Sequence, residues 1–273
     1  MVTLTRNPVI VESSFATQTR SDHDFAVDTV IGQMRADVSY PFTLDIFAEM
    51  ANYSPFHFAR LFRQSIGVPP GEFLAALRFE RAKHLILRTD ASITDICFDV
   101  GFSSLGTFSA RFKQLVGIGP AELRAMPEQL APRLPDLGPC MRSAPSAPSG
   151  TGFIVTGNVT SPRPCTGHLF IGLFPTAIPQ SAPVAGTLAA GPGPFTIHNV
   201  PPGTWRLLAA LFPPGNDPLT HLLPGDSLRV GADPWPVVVS PDVDPRPLHV
   251  ELRHPLPTDP PILSALAPKV LNI

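Results

Sequence analysis

The side chains best suited to chemistry in this 273-residue chain lie in two short stretches with a common grammar. The first, "PFHFARLFRQ" at 55–64, places Arg60 and Arg63 among regularly spaced phenylalanines, and the second, "SSLGTFSARFKQ" at 103–114, does the same with Arg111 and Lys113. A guanidinium near the start of an exposed helix offers a planar fork that matches guanine O6 and N7, whereas a more distant cation meets phosphate as a charge. In the first stretch the outward set is Phe56, His57, Ala59, Arg60 and Arg63. Arg60 is the expected base reader, Phe56 and Ala59 suit thymine methyls, and Arg63 suits phosphate. In the second stretch the set is Ser103, Ser104, Leu105, Gly106, Thr107, Ser109, Ala110, Arg111 and Lys113. Ser104 doubles as a helix N-cap, which commits its hydroxyl to backbone. Thr107 and Arg111 suit phosphate or base edges, Lys113 suits phosphate, and the N–H groups at each helix start add phosphate clamps.

Catalysis finds no comparable set. Cys97, Cys140 and Cys165 have no ligand spacing and, being three, cannot all pair. His57 and His84 have no partner that suggests a metal or a general base. The C-terminal half has neither clustered Asp, Glu and His nor a nucleophile motif, so no enzyme, cofactor or metal is expected. Trp205, Trp235 and His221 are the residues there that would suit a small-molecule pocket, with core and loop packing as the plainer reading. The net charge of −2 hides a mild local excess: 9 Lys/Arg against 6 Asp/Glu in residues 50–125. Charge alone therefore does not name nucleic acid as a partner. With no basic, apolar N-terminal leader and no run near the ~20 apolar residues of a membrane span, a cytoplasmic protein without membrane contact is expected.

The elements that must position these side chains are legible from punctuation. Six of the 35 prolines precede residue 127, and the other 29 lie from Pro127 onward. Because helix interiors exclude proline, the first part can be helical and the second cannot be mainly so. Residues 1–22 read as a flexible arm, and Asp24–Arg35 as a helix facing inward through Phe25, Val27, Val30, Ile31 and Met34. Thr43 caps a helix with Leu44, Phe47, Ala48 and Ala51 inward. Ser54 and Pro55 then start a helix that Gly67 ends. A long helix covers "GEFLAALRFERAKHLILR" at 71–88, with Phe73, Leu77, Ala82, Leu85 and Ile86 apolar and Arg78, Arg81, Lys83 and Arg88 as solvated charges or partners of Glu80 and Asp90. A short helix with Ile93, Ile96, Cys97 and Val100 apolar and a turn at Gly101 precede the helix of about 104–116, and Pro120 starts the last one. Residues 58–73 and 108–123 repeat at an offset of 50: Phe58 and Phe62 match Phe108 and Phe112, Arg63 matches Lys113, and Gly67 matches Gly117. Such a repeat fits two helix-turn-helix units in tandem, each placing its second helix in the major groove.

Residues 127–150, rich in Pro, Ser and Ala, read as a linker. Eight short apolar runs follow from residue 151, split by Pro and Gly: "GFIVTGNV", "GHLFIGLF", "PVAGTLAA", "PFTIHNV", "GTWRLLAALF", "SLRVG", "WPVVVS" and "LHVELR". They suit an antiparallel β-sandwich over 151–255, with a tail at 256–273.

Residues 42–126 resemble the DNA-binding domain of the AraC/XylS family of bacterial transcription regulators. The likeness rests on "LDIFAEMANYSPFHFARLFRQSIGVPPGEFLAALRFERAKHLI" and "SITDICFDVGFSSLGTFSARFKQLVGIGPAELR", the latter with Ile93, Ile96, Gly101, Phe102 and Ser104 in the family's run. The resemblance covers nearly a third of the chain. It implies readout through Phe56, His57, Ala59 and Arg60 in the first unit and Ser104, Leu105, Gly106 and Ala110 in the second. The chain departs from the family at Leu105 and Ala110, where many relatives carry glutamine and arginine, so the second unit is expected to anchor and read shape. It departs also in order, the domain being N-terminal. Residues 193–212, "GPFTIHNVPPGTWRLLAALF", are similar to a segment of transthyretin-like and carboxypeptidase-regulatory-like β-sandwiches. The expectation is a multidomain chain: an all-α tandem helix-turn-helix domain at 23–126, then an all-β antiparallel sandwich that senses or interacts. Its function would be sequence-specific regulation of transcription on double-stranded DNA, with RNA polymerase, a small-molecule effector or a second copy through the sandwich as further partners. The alternative is a DNA-localised adaptor whose sandwich recruits another protein without sensing a ligand.

Overall fold

The computed structural model describes residues 9–134, 152–215, 217–223, 225–242 and 246–265. Seven helices fill the first part: α1 Val9–Ala36, α2 Leu44–Ala51, α3 Pro55–Ile66, α4 Pro70–Arg88, α5 Ile93–Asp99, α6 Leu105–Val116 and α7 Pro120–Leu130. Their starts follow side-chain chemistry. The hydroxyls of Thr43, Ser54, Ser92 and Ser104 accept from the N–H groups of Ile46, His57, Asp95 and Thr107, each satisfying a donor that the helix leaves unpaired. Proline occupies the start of α3, α4 and α7, where its missing N–H costs nothing. The helices close on aromatic faces: Phe58, Phe62, Phe73, Phe79, Phe108 and Phe112 are all fully buried.

Several expectations need correction here. α1 begins at Val9, well before Asp24, so the segment expected as an arm is helical from Val9, and residues 1–8 lie outside the described residues. Phe25 is 74% exposed. It stands ~200° around the helix from Val27, whereas Val27, Val30, Ile31 and Met34 share one buried stripe. Leu44, at the open end of α2, is likewise exposed. The charges on α4 are not all solvated. Arg78 Nε donates to Val38 O at 2.7 Å, and Lys83 is buried, its Nζ donating to Ile262 O at 3.0 Å and Leu263 O at 3.3 Å. Glu80 pairs with Arg35 at 3.5 Å instead of with a neighbour on α4.

Eight strands occupy the eight apolar runs: β1 Phe153–Thr160, β2 His168–Phe174, β3 Ala185–Ala189, β4 Gly193–Val200, β5 Gly203–Phe212, β6 Arg229–Ala232, β7 Val237–Val239 and β8 Leu248–Glu251. One sheet has the order β4-β1-β8 and the other β3-β2-β5-β6, with β7 also paired to β5. The pairs are antiparallel except β1 with β8, which is parallel. That exception departs from a purely antiparallel arrangement. It arises because the chain crosses from the β5 side to the β1 side after β7 instead of turning back as a hairpin. Val155, Val159, Ile197 and Val250 of the first sheet share one core with Leu169, Ile171, Leu207 and Leu211 of the second. A short helix absent from the sequence reading, α8 Pro218–Leu222, sits between β5 and β6, capped by Asp217.

The sheet region is not suspended from the helices by a free linker alone. Ile178, Leu222, Leu263 and Ala265 are buried within the helical core. Ala265 N donates to Val116 O at 3.1 Å, and Ser181 N donates to Leu115 O at 2.6 Å. Within the segment expected as a tail, residues 262–265 are therefore interior. The stretch expected as a linker continues α7 into a 3-10 turn at Ala131–Arg133, and residues 135–150 lie outside the described residues.

Candidate nucleic-acid interface

Two helix pairs, α2–α3 and α5–α6, repeat the same construction. Asn52, with φ 55°, turns the chain out of α2, and Gly101, with φ 87°, does so after α5. A Cβ on Gly101 would stand 2.8 Å from Ser39 O, so only glycine meets both the backbone angle and the crowding. α4 joins the pairs and packs on both: the Phe73 ring lies 5.7 Å from Phe62, and Phe79 lies 5.9 Å from Phe108 and 6.0 Å from Phe112. Its 19 residues make it ~28 Å long, and it starts one residue before the run of 71–88 read from the sequence. Arg78 and Arg124 are held by main-chain carbonyls, Arg124 Nη2 donating to Ala91 O at 2.6 Å. Both brace the module and are spent before any partner arrives.

Around α3, Phe56 is 81% exposed, and Arg60 and Arg63 are exposed as well. Ala59 is half-buried, as is His57, whose ring meets the edges of Tyr53 at 4.9 Å and His23 at 6.1 Å. Around α6, Ser103, Ser104, Leu105, Gly106, Thr107, Ala110, Arg111 and Lys113 are exposed, while Ser109 is half-buried. Ser104 Oγ accepts from Thr107 N at 3.4 Å, as its N-cap position predicts. Arg111 stands where the repeat places Leu61, which is buried. The exposed face of α6 is therefore wider than that of α3. Among the described residues Arg60, Arg63, Arg111 and Lys113 make no ion pair. Their positive charge is thus directed to solvent at both helices.

The three aromatic candidates of the sheet region do not converge. Trp205 Nε1 donates to Pro201 O at 3.0 Å beside the sheet core, Trp235 is 68% exposed, and His221 is buried in a stack on His168 with ring centroids 5.0 Å apart. Among the described residues no three His, Cys, Asp or Glu side chains gather to hold a metal, and no helix is long and apolar enough to cross a membrane.

Residues 47–126 match the family described as "Helix-turn-helix domain". A solved transcriptional regulator from Chromobacterium violaceum, described by its AraC-type DNA-binding domain, is 31% identical, with 38% of this chain and 92% of that chain covered and a TM-score of 0.37. Residues 47–126 are a helix-turn-helix domain, in keeping with the AraC/XylS resemblance of residues 42–126. Among curated relatives, the transcriptional activator RhaR of Klebsiella pneumoniae subsp. pneumoniae is 29% identical over 123 residues, 45% of this chain and 42% of that protein. The transcriptional activator AarP of Providencia stuartii is 28% identical over 98 residues, 36% of this chain and 73% of that protein. The chain spans 42% and 27% of the length of the first two curated relatives it matches.

Proposed function

We propose that this chain regulates transcription by binding double-stranded DNA sequence-specifically, with α3 and α6 in two successive major-groove segments. The observation that carries the reading is the pair of exposed helix starts, Phe56 with Arg60 on α3 and Ser104 to Thr107 on α6, presented by one repeated frame. Adjacent major-groove segments on one face lie ~34–36 Å apart, a separation on the scale of the ~28 Å α4 that joins the two helix pairs. Readout is unequal. Arg60 brings a guanidinium to base edges, with Phe56 beside it for a thymine methyl, whereas Leu105, Gly106 and Ala110 offer only apolar contact and close backbone approach. The second unit then contributes phosphate contacts through Arg111, Lys113 and the α6 N–H groups, and reads shape. The sheet region is taken as a β-sandwich effector domain, RNA polymerase as a further contact, and the cytoplasm as the site of action. Selection of bound sequences from a random duplex pool, using the full chain, tests the reading. A two-part motif with its halves centred about one helical turn apart, better defined in one half, is the expected result; a pool without enrichment refutes it.

A further inference from the structure

We propose that the cavity between the C-terminal turn of α3 and the outer face of the larger sheet is a binding site for a small amphipathic organic acid. The cavity measures about 800 Å³, within the ~300–1,000 Å³ range of sites that enclose small organic ligands. Its origin is strand alternation. On β2 and β5, Leu169, Ile171, Leu207, Ala209 and Leu211 point into the core between the sheets, which leaves Phe170, Arg206, Leu208 and Ala210 on the other face. Phe170, Leu208 and Ala210 make that face largely apolar, and the loop from Ala177 to Pro183 and the segment from Thr258 to Ile262 reach over it from the sheet side. The opposite wall is Gln64–Gly67, the end of α3.

Charge decides the class of ligand. Two carboxylates line the cavity, and both are already matched. Asp259 receives Arg253 through two bonds of 2.6 and 2.7 Å. Asp233 receives Arg246, and also accepts from Trp235 N at 3.0 Å and His249 N at 3.3 Å. Arg206 is half-buried on the same lining and, among the described residues, has no acidic partner and donates to no carbonyl. His198 lines the cavity too, and its Nδ1 is buried without a hydrogen-bond partner among the described residues. An uncommitted guanidinium beside an apolar floor calls for a carboxylate with a hydrocarbon body, since the fork pairs bidentately with a carboxylate and the floor takes the rest. A cationic ligand would gain nothing from carboxylates that are already paired.

The site touches α3 directly. Gly67 caps that helix with φ 89°, and a Cβ there would lie 3.1 Å from Ala177 Cβ, so cavity wall and helix end are in contact. What a ligand then does to DNA rests on the function proposed above; that it binds does not. The test is accordingly run without DNA, on the full chain, with 8-anilinonaphthalene-1-sulfonate as fluorescent probe and octanoate, octanol and octylamine as competitors. Dye fluorescence should rise on binding. Octanoate should displace the dye at a concentration at least tenfold below octanol, and octylamine should not displace it. Arg206→Gln should raise the octanoate midpoint tenfold or more and leave that of octanol in place, with an unchanged far-UV circular dichroism spectrum. Arg206→Glu should turn the preference toward octylamine, which loss of structure would not do. Absence of a dye response, equal displacement by octanoate and octylamine, or an octanoate midpoint unmoved in both variants overturns the proposal. A chain that binds octanoate but no DNA would sink the regulator reading and leave this site standing.

Discussion

Arg60 and Ala110 occupy equivalent places on α3 and α6, fifty positions apart, and both are exposed. One reaches ~6 Å beyond its backbone with five donors, the other with a methyl group. Arg60→Ala should weaken binding to the selected duplex by ~1–3 kcal/mol and relax the preference at one base pair, as read by fluorescence anisotropy on a set of single-base variants. Unchanged affinity on the selected site would remove Arg60 from the base-reading set. Ala110→Arg should instead raise affinity for all sequences and steepen its salt dependence, because a new cation close to the duplex releases counterions wherever it lands. At this scale much was readable in the sequence. Serine caps, N-terminal prolines and Gly67 act through their own backbone neighbours, so residue type and spacing suffice to place them. The fate of His57, Lys83 and Arg111 was not readable, since each depends on what a distant element puts beside it: the His23 and Tyr53 rings, the carbonyls of residues 262 and 263, and the absence of a neighbour over α6.

Among the elements, α4 carries the heaviest demands. It packs on both helix pairs, and through Lys83 it grips the segment that follows β8. Leu263 is fully buried in the helical core that this grip closes. Leu263→Ala should therefore cost ~2–5 kcal/mol, measured as a lower urea midpoint with unchanged slope, and the loss should be seen in the helical signal as well as in the sheet. A loss confined to the sheet would mean that the segment does not belong to the helical core. Gly101→Ala should also destabilise, by ~1–2 kcal/mol, because the added Cβ meets both a left-handed backbone and Ser39 O. The eight strands could be placed from proline and glycine punctuation, which is local. The parallel pairing of β1 with β8 and the inward path of residues 262–265 could not, because both join parts of the chain far apart in sequence and leave no periodic mark.

For the molecule as a whole, the helical and sheet parts meet over a buried lysine. Burial pushes the Lys83 ammonium down from its usual 10.5 to about 8, with Glu80 opposing the shift. Between these values the folded chain has released the proton and the unfolded chain still holds it. The unfolded state then binds more protons, and stability rises as pH increases through that window. Urea midpoints between pH 8 and 10.5 should climb for the native chain, by about 3 kcal/mol at most, and Lys83→Met should flatten the climb. A slope identical in the two proteins would place Lys83 in solvent.

The placement of Leu263 and Ala265 inside the helical core also sets an order in time. α7 ends at Leu130, so roughly 130 residues must still be added before these two exist. At ~5–20 residues per second that is a wait on the order of ten seconds, during which α1 to α7 are complete as sequence but unfinished as a packed body. The helical core is thus closed last by residues made after the sheet, and a product arrested on the ribosome before Leu263 carries α1 to α7 without two of the side chains that their core encloses.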